Sequence, residues 1–169
     1  LIKRQRLELH RKAAEWYAQR DLGLYAEHLD HAEDSSAAIA YLGAASEQAE
    51  HHRLDRALQL IKRGLEIAAE TEQFELHYLQ GELLGLTGSA QQSIEAFRRA
   101  AESTDDNLAL CRALLGQAKG LVVTEAGIDL DKVLKQAEDI ALSTKLNADL
   151  SQIYNLRGAR YFNLRQPEA

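Results

Sequence analysis

The sequence predicts an all-α chain, a solenoid of about nine antiparallel helices paired as hairpins, and three observations carry that prediction. The first is composition: of 169 residues, 27 are Ala and 28 are Leu, whereas Val, Ile and Thr together number 16. Ala and Leu are strong helix formers, and strands draw on the β-branched residues that are scarce here. The second is that Pro167 is the single proline, so a long stretch of chain runs free of its helix-breaking ring. The third is internal echo. Leu54-Asp55-Arg56-Ala57-Leu58 returns 76 residues later as Leu130-Asp131-Lys132-Val133-Leu134, with Ala90-Gln91-Gln92-Ser93-Ile94 between them. A second series, Leu79-Gln80-Gly81, Leu114-Leu115-Gly116 and Leu156-Arg157-Gly158, is spaced 35 and 42 residues apart. Such periods mark hairpins that each bury a face against the next. Gly81, Gly116 and Gly158 sit mid-helix, where glycine costs about 1 kcal/mol against alanine, so close approach of a facing helix is the expected compensation.

Helical periodicity then places each element. The first helix covers about residues 2–19, with Leu7, His10, Ala14 and Tyr17 on one face. Asp21-Leu22-Gly23 breaks it, and a short helix follows from about Leu24 to Ala32. Asp34 or Ser35 is the expected cap of a helix reaching about Glu50. Residues 54–69 carry an apolar stripe of Leu54, Ala57, Leu58, Ile61 and Leu65. The next helix runs from Glu72 to Thr87 and ends at Gly88; Ser89 and Gln92 have the spacing of a capping box for a helix to about Ser103. Thr104-Asp105-Asp106 caps a helix of about 106–123. A break at 124–129 precedes a helix over 130–143, and a last helix over 146–165 stops at Gln166-Pro167. Loops this short pack neighbouring helices side by side.

Charge and composition bound the function classes. With 46% hydrophobic and 27% charged residues the chain has the makeup of an ordinary globular protein. No stretch approaches the roughly 18 consecutive apolar residues of a membrane span, and nothing has the pattern of a signal peptide. One cysteine, Cys111, excludes an internal disulfide and suits a cytoplasmic location. A start at Leu1 and the absence of methionine point to a fragment of a larger protein. Net charge is −6, unevenly spread: residues 1–20 carry six Lys and Arg against two Glu, and residues 21–50 carry seven acids and no Lys or Arg. Neighbouring helices that attract one another, or a first helix abutting a preceding domain, account for this asymmetry.

The segment from Phe74 to Asn107 resembles a tetratricopeptide repeat. Gly81 stands at the small position of the first helix, Gly88 closes the turn, and Ser93-Ile94 replaces the usual Ala-Ile. Phe97 is the aromatic of the second helix and Ala100 its small residue. Residues 38–71 match in their second helix through Ala57, Leu58, Ile61, Gly64 and Leu65. A third unit spans about 108–143 with a longer turn, and Leu156-Arg157-Gly158 with Tyr161 begins a fourth. Leu84 stands where the family prefers tyrosine, and its usual tryptophan and proline are missing from their places. Upstream, Ala26-Glu27-His28, Ala32-Glu33-Asp34, Ala37-Ala38, Tyr41, Ala44-Ala45 and Ala49 look like the junction of bacterial STAND-type signalling ATPases. The resemblance implies a right-handed superhelix, with residues 1–34 a junction hairpin and 35–169 about three and a half repeats. It also implies a sensor or regulatory arm beside an ATPase, cyclase or DNA-binding output domain.

Within the chain itself no phosphate loop or nucleophile motif is found, and Cys111 falls on an apolar helical face. Neither cofactor nor metal is expected. The rival is a metal-dependent or enzymatic site on His28, His31, His51 and His52, with Glu27 and Asp30 nearby, though the HExxH order is absent. Nucleic-acid contact through Lys3, Arg4, Arg6 and Arg11 is the other alternative; the acidic segment that follows and a pI of about 5.5 weigh against it. The expected function is therefore non-catalytic: docking of a protein, a peptide or a neighbouring domain in a concave groove lined by first helices. Periodicity assigns Ser46, Tyr78, Glu82, Arg112, Asn155 and Phe162 to that groove. The apolar side of the last helix, around residues 161–169, is the expected seat of a homodimer.

Overall fold

The computed structural model describes residues 2–124 and 127–164, and Gln166-Pro167, the expected stop of the last helix, lies outside the described residues. Among the described residues there are nine α-helices and no strand. They are α1 (Lys3–Tyr17), α2 (Leu22–His31), α3 (Ala37–Glu50), α4 (Leu54–Ile67), α5 (Gln73–Leu86), α6 (Ala90–Glu102), α7 (Asn107–Val123), α8 (Gly127–Thr144) and α9 (Asn147–Leu164), with one 3₁₀ turn at Glu70–Glu72.

Local chemistry explains most of the boundaries. Asp21 caps α2 by accepting the Leu24 N–H at 2.9 Å, and Asp106 caps α7 by accepting the Ala109 N–H at 2.8 Å. Two caps expected from the sequence are not made. The Ser89 side chain takes no N–H of α6; its hydroxyl instead lies 3.5 Å from the Thr87 hydroxyl, so there is no capping box with Gln92. Before α3, Asp34 accepts the N–H and hydroxyl of Ser36, which closes a local turn and leaves the helix start at Ser36 without a side-chain cap.

Four helix ends share one stop. Glu33, His52, Gly88 and Lys145 take left-handed backbone conformations with φ between 55° and 77°. In each, the following residue's N–H reaches back to a carbonyl of the preceding helix: Asp34 to Leu29, Arg53 to Gln48, Ser89 to Leu84 and Leu146 to Ala141. This six-to-one bond satisfies a carbonyl that the helix end would leave unpaired. Three of the four sites hold a residue with a Cβ, so only Gly88 was legible as a stop.

The chain divides into two compact units, Leu1–Leu79 and Gln80–Ala169, with the division inside α5. In the first, α1 packs on α2, α2 on α3 and α3 on α4. Ala14, Leu29 and Ala37 form one small core, and Tyr41, Ala44, Ala45, Ala57, Leu60, Ile61, Phe74 and Leu76 are also buried. A Cβ at Gly64 of α4 would stand 2.9 Å from Leu76 Cδ2 and 3.3 Å from Tyr41 Cβ, so the glycine lets these elements approach. Charged ties join helices. Arg63 donates to both oxygens of Asp30 at 2.7 and 3.0 Å, and the Tyr41 hydroxyl donates to the same carboxylate at 3.2 Å. The Arg63 hydrogen bond holds the Asp30 carboxyl below its usual range, while burial first and the adjacent Asp30 second push the Tyr41 phenol up to about 12.

In the second unit, α6 packs on α7, α7 on α8 and α9, and α8 on α9. Ile94, Cys111, Leu114, Leu115, Leu121, Leu130, Leu134 and Ile153 are the larger side chains of its core. The Phe97 ring occupies the space that side chains at Gly81 and Gly116 would need. A Cβ at Gly81 would meet the ring at 2.9 Å, and one at Gly116 would come closer still. The buried Ser93 hydroxyl donates to the Gly81 carbonyl at 2.7 Å, tying α6 to the same stretch of α5. The expected compensation therefore holds at Gly81 and Gly116. It is not seen at Gly158, where a Cβ would meet nothing within 4 Å among the described residues.

Candidate interaction surfaces

The six residues assigned to a groove are distributed over four helices. Ser46, half-buried on α3, donates its hydroxyl to the Leu42 carbonyl at 3.0 Å. Tyr78 of α5 is half-buried and stacks on Phe74 with ring centroids 5.8 Å apart. Glu82 of α5 is exposed, Arg112 of α7 is half-buried, and Asn155 and Phe162 of α9 are exposed. Around Phe162, Tyr154 and Tyr161 are exposed as well, so the outer side of α9 presents three aromatic rings.

The second unit carries a cleft that the sequence does not announce. It has a volume of about 480 Å³ and lies between the C-terminal half of α5 and the first turns of α6. Gln80 and Leu84 line it from α5; Gln91, Gln92, Glu95, Ala96 and Arg99 line it from α6. None of the six expected groove residues takes part. Leu84 and Ala96 supply apolar floor, and three primary amides offer both donors and acceptors. Glu95 and Arg99 form an ion pair at 3.1 Å at one wall. Hydrogen bonds from Arg98 and Arg99 hold the Glu95 carboxyl down at about 2. Gln91 and Gln92 are visible in the sequence only as helix-start residues, because the cleft depends on which turn of α5 faces them.

The histidines assemble differently from the set named from sequence. His51 and His52 are exposed beyond α3, with His51 Nδ1 2.8 Å from the Glu47 carbonyl. Among the described residues no group of three or more His, Cys, Asp or Glu is arranged to hold a metal ion. What forms instead is an aromatic cluster between α1 and α2. His10 Nδ1 lies 3.0 Å from His28 Nδ1, and the His10 ring sits 5.0 Å from that of His31. Tyr17 stacks on His28 at 5.4 Å. A ring-nitrogen pair at this distance needs one N–H and one lone pair, so at least one ring is neutral at that contact. Burial first, then the neighbouring His31 and His28 and Arg6, lower the tendency of His10 to hold a proton. The missing member of the cluster was His10, which periodicity places on the inner face of α1 without saying what lies opposite.

The basic first helix is partly neutralised by neighbours. Lys3 reaches Glu33 beyond α2 at 2.7 Å, which joins the basic and acidic stretches, and Lys12 pairs with Glu8 at 3.4 Å. Cys111 is fully buried on α7, its thiol facing the Ala137 carbonyl at 3.8 Å, and desolvation pushes its pKa up to about 11. A thiol in that state is a packing group rather than a nucleophile. Among the described residues no helix is long and apolar enough to cross a membrane. Comparison with known proteins returns no matching family model, no matching curated protein and no matching solved structure.

Proposed function

We propose that the chain is a non-catalytic helical-repeat module that docks a peptide or protein segment, arranged as a right-handed superhelix of tetratricopeptide-like hairpins. It would act in the cytoplasm as the sensor or regulatory arm of a larger bacterial signalling or transcription-regulating ATPase. Occupation by a ligand would bias the attached domain between two states, and the size of the bias is set by differential affinity for those states. The observation that carries the docking function is the cleft between α5 and α6. An extended peptide exposes an N–H and a C=O at each residue, and the exposed Gln91 and Gln92 can pair with both from an open surface. Leu84 and Ala96 give an apolar side chain a place to rest.

Peptide display against the immobilised chain tests this. Selected peptides are compared on the unaltered chain, on Gln91→Ala/Gln92→Ala, and on Glu82→Ala/Asn155→Ala. Peptides lost only on the first variant place docking in the cleft. Loss only on the second moves it to the face of first helices. A selection that enriches nothing, or peptides indifferent to both changes, overturns the docking function.

A further inference from the structure

We infer that the outer face of α1 is a docking seam for an acidic amphipathic helix, a second surface that does not rest on the cleft. Leu9 and Trp16 stand seven residues apart on α1 and are 54% and 56% exposed, and Ile2, in extended backbone just before the helix, is 73% exposed. The inner face of the same helix is already occupied: Ala14 is buried and His10 and Tyr17 lie in the ring cluster with α2. Two large apolar side chains on one outward line, one of them a tryptophan, with a third just before the helix, form the kind of anchor row around which interfaces concentrate their energy. A seven-residue period is the repeat at which one helix meets another running along it.

Charge selects the partner. Arg6, Lys12 and Arg20 lie beside the apolar line, and Arg4 stands on the same exposed helix. Arg4 and Arg6 form no ion pair among the described residues, and Lys12 has only the exposed Glu8. The Arg20 guanidinium is 4.4 Å from the centre of the Trp16 ring and donates to the Trp16 carbonyl at 2.5 Å, so a cation is fixed over the anchor. Aspartate and glutamate flanking an apolar seam would complement this pattern. A bilayer is the poorer match. Helices that lie in a membrane surface bury an apolar face about 100° wide or more, and one apolar residue every second turn makes a much narrower line.

Trp16 is the only tryptophan, so intrinsic fluorescence reports on this surface alone. The probe is a synthetic peptide of three heptads with Leu at the first and fourth positions and Glu at the fifth and seventh; the glutamates hinder self-pairing at neutral pH. The expected result is a saturable blue shift of Trp16 emission. Affinity should fall at least tenfold for a peptide with Lys in place of Glu, and at least tenfold for Leu9→Ser, an exposed position whose change leaves the core intact. Gln91→Ala/Gln92→Ala should leave the titration unchanged, which separates this seam from the cleft. Equal response to the Glu and Lys peptides, no response to either, or a shift seen only with phosphatidylserine vesicles would each overturn the inference.

Discussion

In Leu1–Leu79 the small residue sits on α4 and the large ones face it: Gly64 lies against Leu76 and Tyr41. In Gln80–Ala169 the arrangement is inverted, with large Phe97 on α6 and glycines on the helices that face it, Gly81 on α5 and Gly116 on α7. Both satisfy the requirement that an interior be filled without overlap, since one bulky group needs the absence of another opposite. They differ in what can yield. Leu76 meets Gly64 with the far end of a flexible side chain, whereas Gly81 and Gly116 both meet a rigid ring. Titration separates the units too. All six histidines precede residue 80, so only the first unit holds side chains that ordinarily change charge just below neutrality.

The most damaging change follows from the ring. Phe97→Ala should cost about 3–5 kcal/mol in denaturant unfolding, because Gly81 and Gly116 have no side chains with which to fill the cavity. A loss below about 1 kcal/mol would mean that the ring is not the centre of the second unit.

The paired test is Gly116→Ala against Gly64→Ala. Both gain about 1 kcal/mol of helix propensity. Against that, overpacking at a rigid ring costs about 1–3 kcal/mol, so Gly116→Ala should be destabilising while Gly64→Ala falls nearer to neutral. Equal effects would erase the contrast between yielding and rigid neighbours. Gly158→Ala should go the other way and stabilise by about 1 kcal/mol, since the new methyl meets none of the described residues within 4 Å and only the propensity term remains.

The smallest effect is pH dependence. His10 holds its proton less readily in the folded chain than the ordinary value of 6.5 would give. The folded state therefore binds fewer protons than the unfolded one. That contribution to stability is complete above about pH 6.5 and is lost as pH falls through the lowered folded value. Amide hydrogen exchange should show α1 and α2 losing protection between about pH 7.5 and 5, with His10→Gln flattening the change. The second unit should hold steady over that span, because Glu95 and Glu138 have carboxyls displaced downward by their arginines and lose their contribution only in stronger acid. Parallel loss in both units would remove the histidine cluster as its source.

The sequence carried the helices well because their signals are local. Apolar spacing, Asp106 as a cap and Gly88 as a stop act over a few residues, and α4 and α7 lie within about two residues of their expected bounds. Gly81 and Gly116 were legible as places of close approach, though not that both approach the same ring. Signals that depend on a partner far along the chain were hidden. Arg63 with Asp30, His10 with His28, and the cleft lined by Gln80 and Gln91 each need two helices to be docked before they exist. Gly158 has the sequence context of Gly81 and Gly116, yet none of the described residues packs within 4 Å of a Cβ placed there. A repeat in sequence predicts the position of a residue and not its neighbour.

Cys111 turns the interior of the second unit into a clock. It is the only thiol, fully buried against α8, and its proton is held tightly enough that little thiolate exists near neutral pH. An alkylating reagent can reach the sulfur only while the core around it opens, so the rate of labelling counts those openings in an otherwise folded population. Because no second cysteine competes, the native chain can report its own breathing without an introduced label.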